Sequence, residues 1–133
     1  MDSVPVLPPE IADAKLTVLI VEDEFLLRWA AADFLRERGY LVIEATSVPD
    51  AISIFESGAH VDLVFSDVHM PGTLSGHDLA EWLEQHRPKM PVLLTSGSPS
   101  EGHKLPPGAQ RRFITKPYEL GDIEAVIGSM RQS

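Results

Sequence analysis

Five polar residues stand where apolar runs stop. Glu22 and Asp23 follow "LTVLIV" (16–21), Asp67 follows "VDLVFS" (61–66), Thr95 closes "MPVLLT" (90–95), and Lys116 comes just after "RRFIT" (111–115). Three carboxylates, a hydroxyl and an ammonium make a composition suited to a divalent cation and a phosphoryl group. Mg2+ takes oxygen ligands, usually one or two carboxylates together with waters and phosphate oxygens. Carboxylates crowded at the mouth of a buried element repel and resist desolvation, so the acids of "VEDE" (21–24) call for a compensating cation, either Mg2+ or Lys116. A carboxylate is already ionised at neutral pH and attacks phosphorus without a general base. Charge developing on the transferring oxygens would be met by Mg2+ and Lys116.

Such chemistry requires elements that bring residues distant in the chain into one crevice. The apolar runs, with "LVIEA" (41–45) as the second, are short and rich in β-branched residues. Nearly continuous apolar character fits strands covered on both faces, as in a parallel sheet. Helical spacing separates them. Leu27, Ala31, Phe34 and Leu35 fall on one face of "FLLRWAAADFLRERG", with Gly39 as its C-terminal cap. Ser47 caps "VPDAISIFESG", Pro49 lies in its first turn and Gly58 ends it. Leu79, Ala80, Leu83 and His86 align in "GHDLAEWLEQHRP", where His86 is read as a packing residue, and Ile123, Val126, Ile127 and Met130 align in "LGDIEAVIGSM". Five strand–helix alternations predict an open, doubly wound α/β sheet with right-handed crossovers. Ligands of such sheets bind outside the carboxyl ends of the strands, where all five polar residues would meet.

The chain has 133 residues, room for one core. Residues 1 to 14 hold Pro5, Pro8 and Pro9 without periodicity and read as a disordered tail, leaving a domain over 15–130. A net charge of −9 disfavours binding to nucleic acid. No apolar run reaches the roughly 18 residues of a membrane span, and no basic-then-apolar secretion signal opens the chain. Without cysteines there is no disulfide or thiolate site. A cytoplasmic location is the expectation.

The motifs "VEDE" (21–24), "SDVHMPG" (66–72), "LLTSG" (93–97) and "ITKPY" (114–118) come in one order, with Asp23, Asp67, Thr95 and Lys116 at intervals of 44, 28 and 21 residues. Over about residues 15 to 130 the chain resembles the receiver domain of two-component response regulators. The resemblance implies a flavodoxin-like strand order 2-1-3-4-5. It implies that Asp67 accepts a phosphoryl group from a phosphohistidine on a sensor histidine kinase or histidine phosphotransferase. Asp23 and Asp67 would ligate Mg2+ together with the His69 backbone carbonyl, and Glu22 would act through water. Thr95 and Lys116 would each engage a phosphoryl oxygen, Phe113 would be the switch aromatic, and Lys116-Pro117 would be a cis peptide. It further implies no enzyme beyond self-catalysed transfer to Asp67 and its hydrolysis, and a stand-alone receiver that signals by docking on a downstream protein or by phosphorelay.

Each residue alone has a plainer reading: Asp67 and Thr95 as caps, Lys116 as a solvated loop charge, Phe113 as core, Glu24 as a solvent-facing acid. Two other functions compete. One is a degenerate receiver serving only as a binding module. The other is an Asp-nucleophile phosphatase, which would need a second acid two residues after Asp67, where His69 stands. Flavin or nucleotide binding would need a phosphate loop after the first strand, and "EDEFLLR" is its electrostatic opposite. Against the family pattern, Pro71 and Gly76 lie one position further apart than usual, which reshapes the loop after Asp67. His69 bears on the lifetime of the acyl phosphate. The place of the fourth helix, 98–110, holds Pro99, Gly102, Pro106, Pro107 and Gly108. Proline costs about 3 kcal/mol and glycine about 1 within a helix, so one turn near Ser100 to Lys104 is expected. With only Leu105 as a sizeable apolar residue, the segment is expected to be mobile while Asp67 is unphosphorylated.

Overall fold

The structure is a computed structural model describing residues 16–105 and 110–131. The tail expected over 1–14 and part of the segment 98–110 lie outside the described residues. In chain order the elements are β1 (Thr17–Val21), α1 (Phe25–Glu37), β2 (Leu41–Ala45), α2 (Val48–Glu56), β3 (Leu63–Asp67), α3 (Gly76–His86), β4 (Val92–Ser96), a 3₁₀ helix (Pro99–Lys104), β5 (Arg111–Thr115) and α4 (Leu120–Arg131). All strand pairs are parallel, in the order β2-β1-β3-β4-β5. The expected doubly wound, flavodoxin-like sheet is thus the observed one.

Burial follows strand position. The three central strands, β1, β3 and β4, are buried along their whole length, which accounts for their apolar runs. The edge strands β2 and β5 are only partly covered and tolerate Glu44, Arg111 and Arg112. Alternate side chains of each strand face opposite sides. Leu19, Val21, Val64, Val92 and Leu94 therefore pack with Phe55 of α2 and Leu79 and Leu83 of α3. Val18, Ile20, Leu63, Phe65 and Leu93 pack with Ala31 and Leu35 of α1 and Ile123 and Ile127 of α4.

Local signals behave as their chemistry requires. Ser47 Oγ accepts from the Asp50 N–H at 3.1 Å. Gly39 and Gly58, at φ 95° and 87°, adopt the left-handed geometry that ends α1 and α2. Two helix-face expectations need correction. Leu27 is exposed rather than buried, and Ala32 joins Ala31 and Leu35 as the inward face of α1. His86 is exposed as well; it stacks on Trp82 at 4.3 Å and bonds the Trp82 carbonyl through Nδ1, so it packs on its own helix and not in the core. The 3₁₀ helix buries no side chain, and no α-helix forms over Pro99–Lys104, in accord with the proline and glycine content. No described helix is long and apolar enough to cross a membrane.

Candidate functional site

Register assembles the site. Val21 lies opposite Ser66, so Glu22 and Asp67 each follow by one residue at adjacent strand ends. Asp67 is paired with Thr95, and Ser96 with Thr115, which leaves Lys116 one step beyond, its N–H bonded to the Ser96 carbonyl. Lys116-Pro117 is cis, as the resemblance implied.

The central contact joins Lys116 Nζ to Asp67 Oδ2 at 2.6 Å, with Glu22 Oε1 at 3.8 Å from the same ammonium. Asp67 Oδ1 accepts the His69 N–H at 3.1 Å. Asp67 and Glu22 are buried, whereas Asp23, Glu24 and His69 are exposed. Burial pushes the Glu22 carboxyl up to about 7; the Glu24 N–H bond opposes this, Asp67 adds to it, Lys116 opposes it and Asp23 adds again. For Lys116, burial acts to lower the pKa, but the bond and charge of Asp67, followed by Glu22, prevail and leave it raised. Thr95 Oγ1 is buried without a hydrogen-bond partner among the described residues. Burying an unpaired hydroxyl is costly, so a donor aimed at the strand ends has a reason to persist only if something accepts from it.

The donor set suits Mg2+. Among the described residues no three His, Cys, Asp or Glu side chains group as a metal cage. Mg2+ does not need one, since one or two carboxylates with carbonyl, water and phosphate oxygens suffice. Asp23, Asp67 and the main chain at His69 offer that mixture, and a cation beside Glu22 would offset first the burial and then the Asp67 charge that raise its carboxyl. Phe113, the expected switch residue, is half-buried and packs against the Leu94 side of the core and against Gly102.

Sequence reasoning missed four contributors. Arg28 donates to the Glu22 carbonyl at 3.0 Å and to Glu44 at 3.1 Å, which ties the acidic turn to β2; the lone acid in "LVIEA" was the available signal. Tyr118 lines the crevice beside Glu22, Asp67 and Thr95, and burial foremost raises its hydroxyl pKa. Gly76 has its N–H on the Val68 carbonyl at 2.8 Å, and a Cβ there would lie 2.5 Å from the Asp67 carbonyl oxygen. His77 bonds Glu101 at 2.8 Å, a pairing across 24 positions that no spacing rule reveals.

Comparison with known proteins agrees with this geometry. The family model described as "Response regulator receiver domain" matches residues 18–128. The sensor kinase CckA of Brucella abortus is 36% identical over 117 residues, 86% of this chain but 12% of that protein, so the chain spans a small part of this relative's length. A crystal structure of the receiver domain of the hybrid histidine kinase CckA is 32% identical, with a TM-score of 0.71 over 86% of this chain and 97% of that one. A receiver protein from Sinorhizobium medicae has a TM-score of 0.81 at 22% identity, over 90% of this chain and 96% of that one. With its sheet order, its strand-end residues and this match over most of its length, the chain belongs to the response regulator receiver domain family.

Proposed function

We propose that this domain accepts a phosphoryl group on Asp67 from a phosphohistidine of a sensor kinase or phosphotransferase, and passes the signal on by protein docking or phosphorelay. The observation that carries the proposal is Lys116 held 2.6 Å from a buried Asp67 beside an unpartnered Thr95 hydroxyl. An oxygen of Asp67 attacks phosphorus; the N–P bond of the phosphohistidine breaks and its electron pair returns to the imidazole. As the Asp67 carboxylate gives up its charge on becoming an acyl phosphate, a mixed anhydride, Lys116 follows the charge onto a phosphoryl oxygen, and Thr95 donates to another. Asp23, Asp67 and the His69 carbonyl would hold Mg2+, with Glu22 acting through water. When bound, the ion supplies positive charge against the phosphoryl oxygens. The acidic net charge supports a protein partner over nucleic acid, and a cytoplasmic setting suits such a partner.

Acetyl phosphate with Mg2+ should add one phosphoryl group by intact mass, and none to Asp67→Asn. Uptake by that variant would overturn the assignment. Mg2+ should also raise the Tm, by about 2.7 kcal/mol of stabilisation at a hundred times Kd. Asp23→Asn should lose most of that shift, and an intact shift would move the metal site elsewhere.

A further inference from the structure

We propose that His77 is a positioning residue: its bond to Glu101 latches the loop bearing Asp67 to the 3₁₀ helix and, through it, to Phe113. This provides a route between acceptor and aromatic that bypasses Thr95, and it rests on the reading of Asp67 given above.

Every step of the route is short. The Asp67–Val68 main chain carries the start of α3, because Gly76 N–H bonds the Val68 carbonyl at 2.8 Å and the Gly76 Cα has no room for a side chain against Asp67. His77, the next residue, reaches Glu101 Oε1 at 2.8 Å with both side chains largely covered, 21% and 12% exposed. Gly102, next to Glu101, lies against the Phe113 ring; a Cβ there would stand 2.8 Å from Cδ2. Glu101 is held on its other oxygen by Lys104 at 3.3 Å, a neighbour within the same 3₁₀ helix. The His77 bond, opposed by burial and aided by Lys104, keeps the Glu101 carboxyl below its ordinary pKa, so the acceptor end of the latch is charged. With no buried side chain of its own, the 3₁₀ helix depends on such contacts for its place. A loop displaced at Asp67 therefore pulls the helix start, the latch and the 3₁₀ helix together.

Amide hydrogen exchange on the full chain tests this across the latch. Glu101→Ala should speed exchange of the Gly76 amide about fivefold, although Gly76 lies on the other element, and His77→Ala should speed exchange within 99–105 to a similar degree. His77→Gln, which keeps a donor, should restore most of the protection. If each alanine variant loosens only its own element, or if glutamine restores nothing, the latch does not exist. A second arm adds acetyl phosphate with Mg2+. Phosphorylation should change exchange within 99–105 in the parent protein and at least threefold less in Glu101→Ala, while an equal change would overturn the coupling. If the parent takes up no phosphoryl group, the reading of Asp67 fails, and the latch stands or falls on the first arm.

Discussion

The crossovers after β3 and β4 leave neighbouring strand ends, one bearing Asp67 and the other Thr95, yet they are held in opposite ways. After β3 the chain turns into α3, an eleven-residue helix opened by a reciprocal cap: Ser75 Oγ accepts from Asp78 N–H, and Asp78 accepts from Ser75 N–H. Leu79, Ala80 and Leu83 then anchor it in the core. After β4 the chain makes a six-residue 3₁₀ helix with no side-chain cap and no buried residue. On the reading of Asp67 proposed above, the acceptor stands beside the well-anchored crossover and the Thr95 hydroxyl beside the one with fewer holds. One wall of the crevice is anchored by a cap and by core packing, and the other is held mainly by contacts at its surface.

The largest test of that contrast is Gly76→Ala. The new methyl would meet main chain at Asp67 and Val68, which cannot rotate aside. The expected loss is about 2–4 kcal/mol in urea unfolding at constant m, with weaker phosphoryl uptake. A loss under about 0.5 kcal/mol would mean that the first wall is as pliable as the second.

Charge offers the next test. Asp67 is held by Lys116 and the His69 N–H, while the buried Glu22 sits farther from the ammonium and is pushed to about 7. A carboxyl whose folded pKa lies above its ordinary 4.5 binds more protons folded than unfolded between the two values. Its contribution to metal-free stability is therefore full below about pH 4.5 and is lost as pH rises through about 7, by on the order of 3 kcal/mol. Subtracting the pH profile of Glu22→Gln from that of the parent should isolate this decline. A flat difference would show that Glu22 titrates in the fold as it does in the unfolded chain.

The same contrast marks what could be read from the sequence. The sheet was legible because buried parallel strands must be apolar along their length, and β1, β3 and β4 are. The strand-end acids, Thr95 and Lys116 were legible because topology sends every strand's carboxyl end to one edge. Pro99 and Gly102 announced the missing helix. What stayed hidden depends on packing between elements. A glycine at position 76 looks like any loop glycine until Asp67 is found against its Cα. Leu27 had the right period but stays exposed in the first turn of α1, at the open crevice. His77 and Glu101 show nothing until two crossovers are folded side by side.

Gly102→Ala is the counterpart to Gly76→Ala, and a smaller effect is expected. The methyl would meet the Phe113 ring, a side chain that can turn, so the loss should be about 1 kcal/mol with a clear change in the Phe113 ring signals by NMR. A loss as large as that of Gly76→Ala would make the second wall rigid too.

The finest test compares the two caps. Ser75→Ala removes the oxygen that accepts from Asp78 N–H at 3.3 Å and leaves a helix start with an orphan donor, while the return bond from Ser75 N–H to Asp78 at 2.7 Å survives. About 1 kcal/mol should be lost, because half of the reciprocal pair remains. Ser98→Ala, at the matching position before the 3₁₀ helix, removes only a hydroxyl contact to Ser100; the Ser98 N–H keeps its bond to Ser96 Oγ. That variant should stay within about 0.5 kcal/mol of the parent. Equal losses would mean that the second crossover carries a cap the geometry does not display. Unequal losses in the expected order would place the difference between the walls at their first turns, before any core packing contributes.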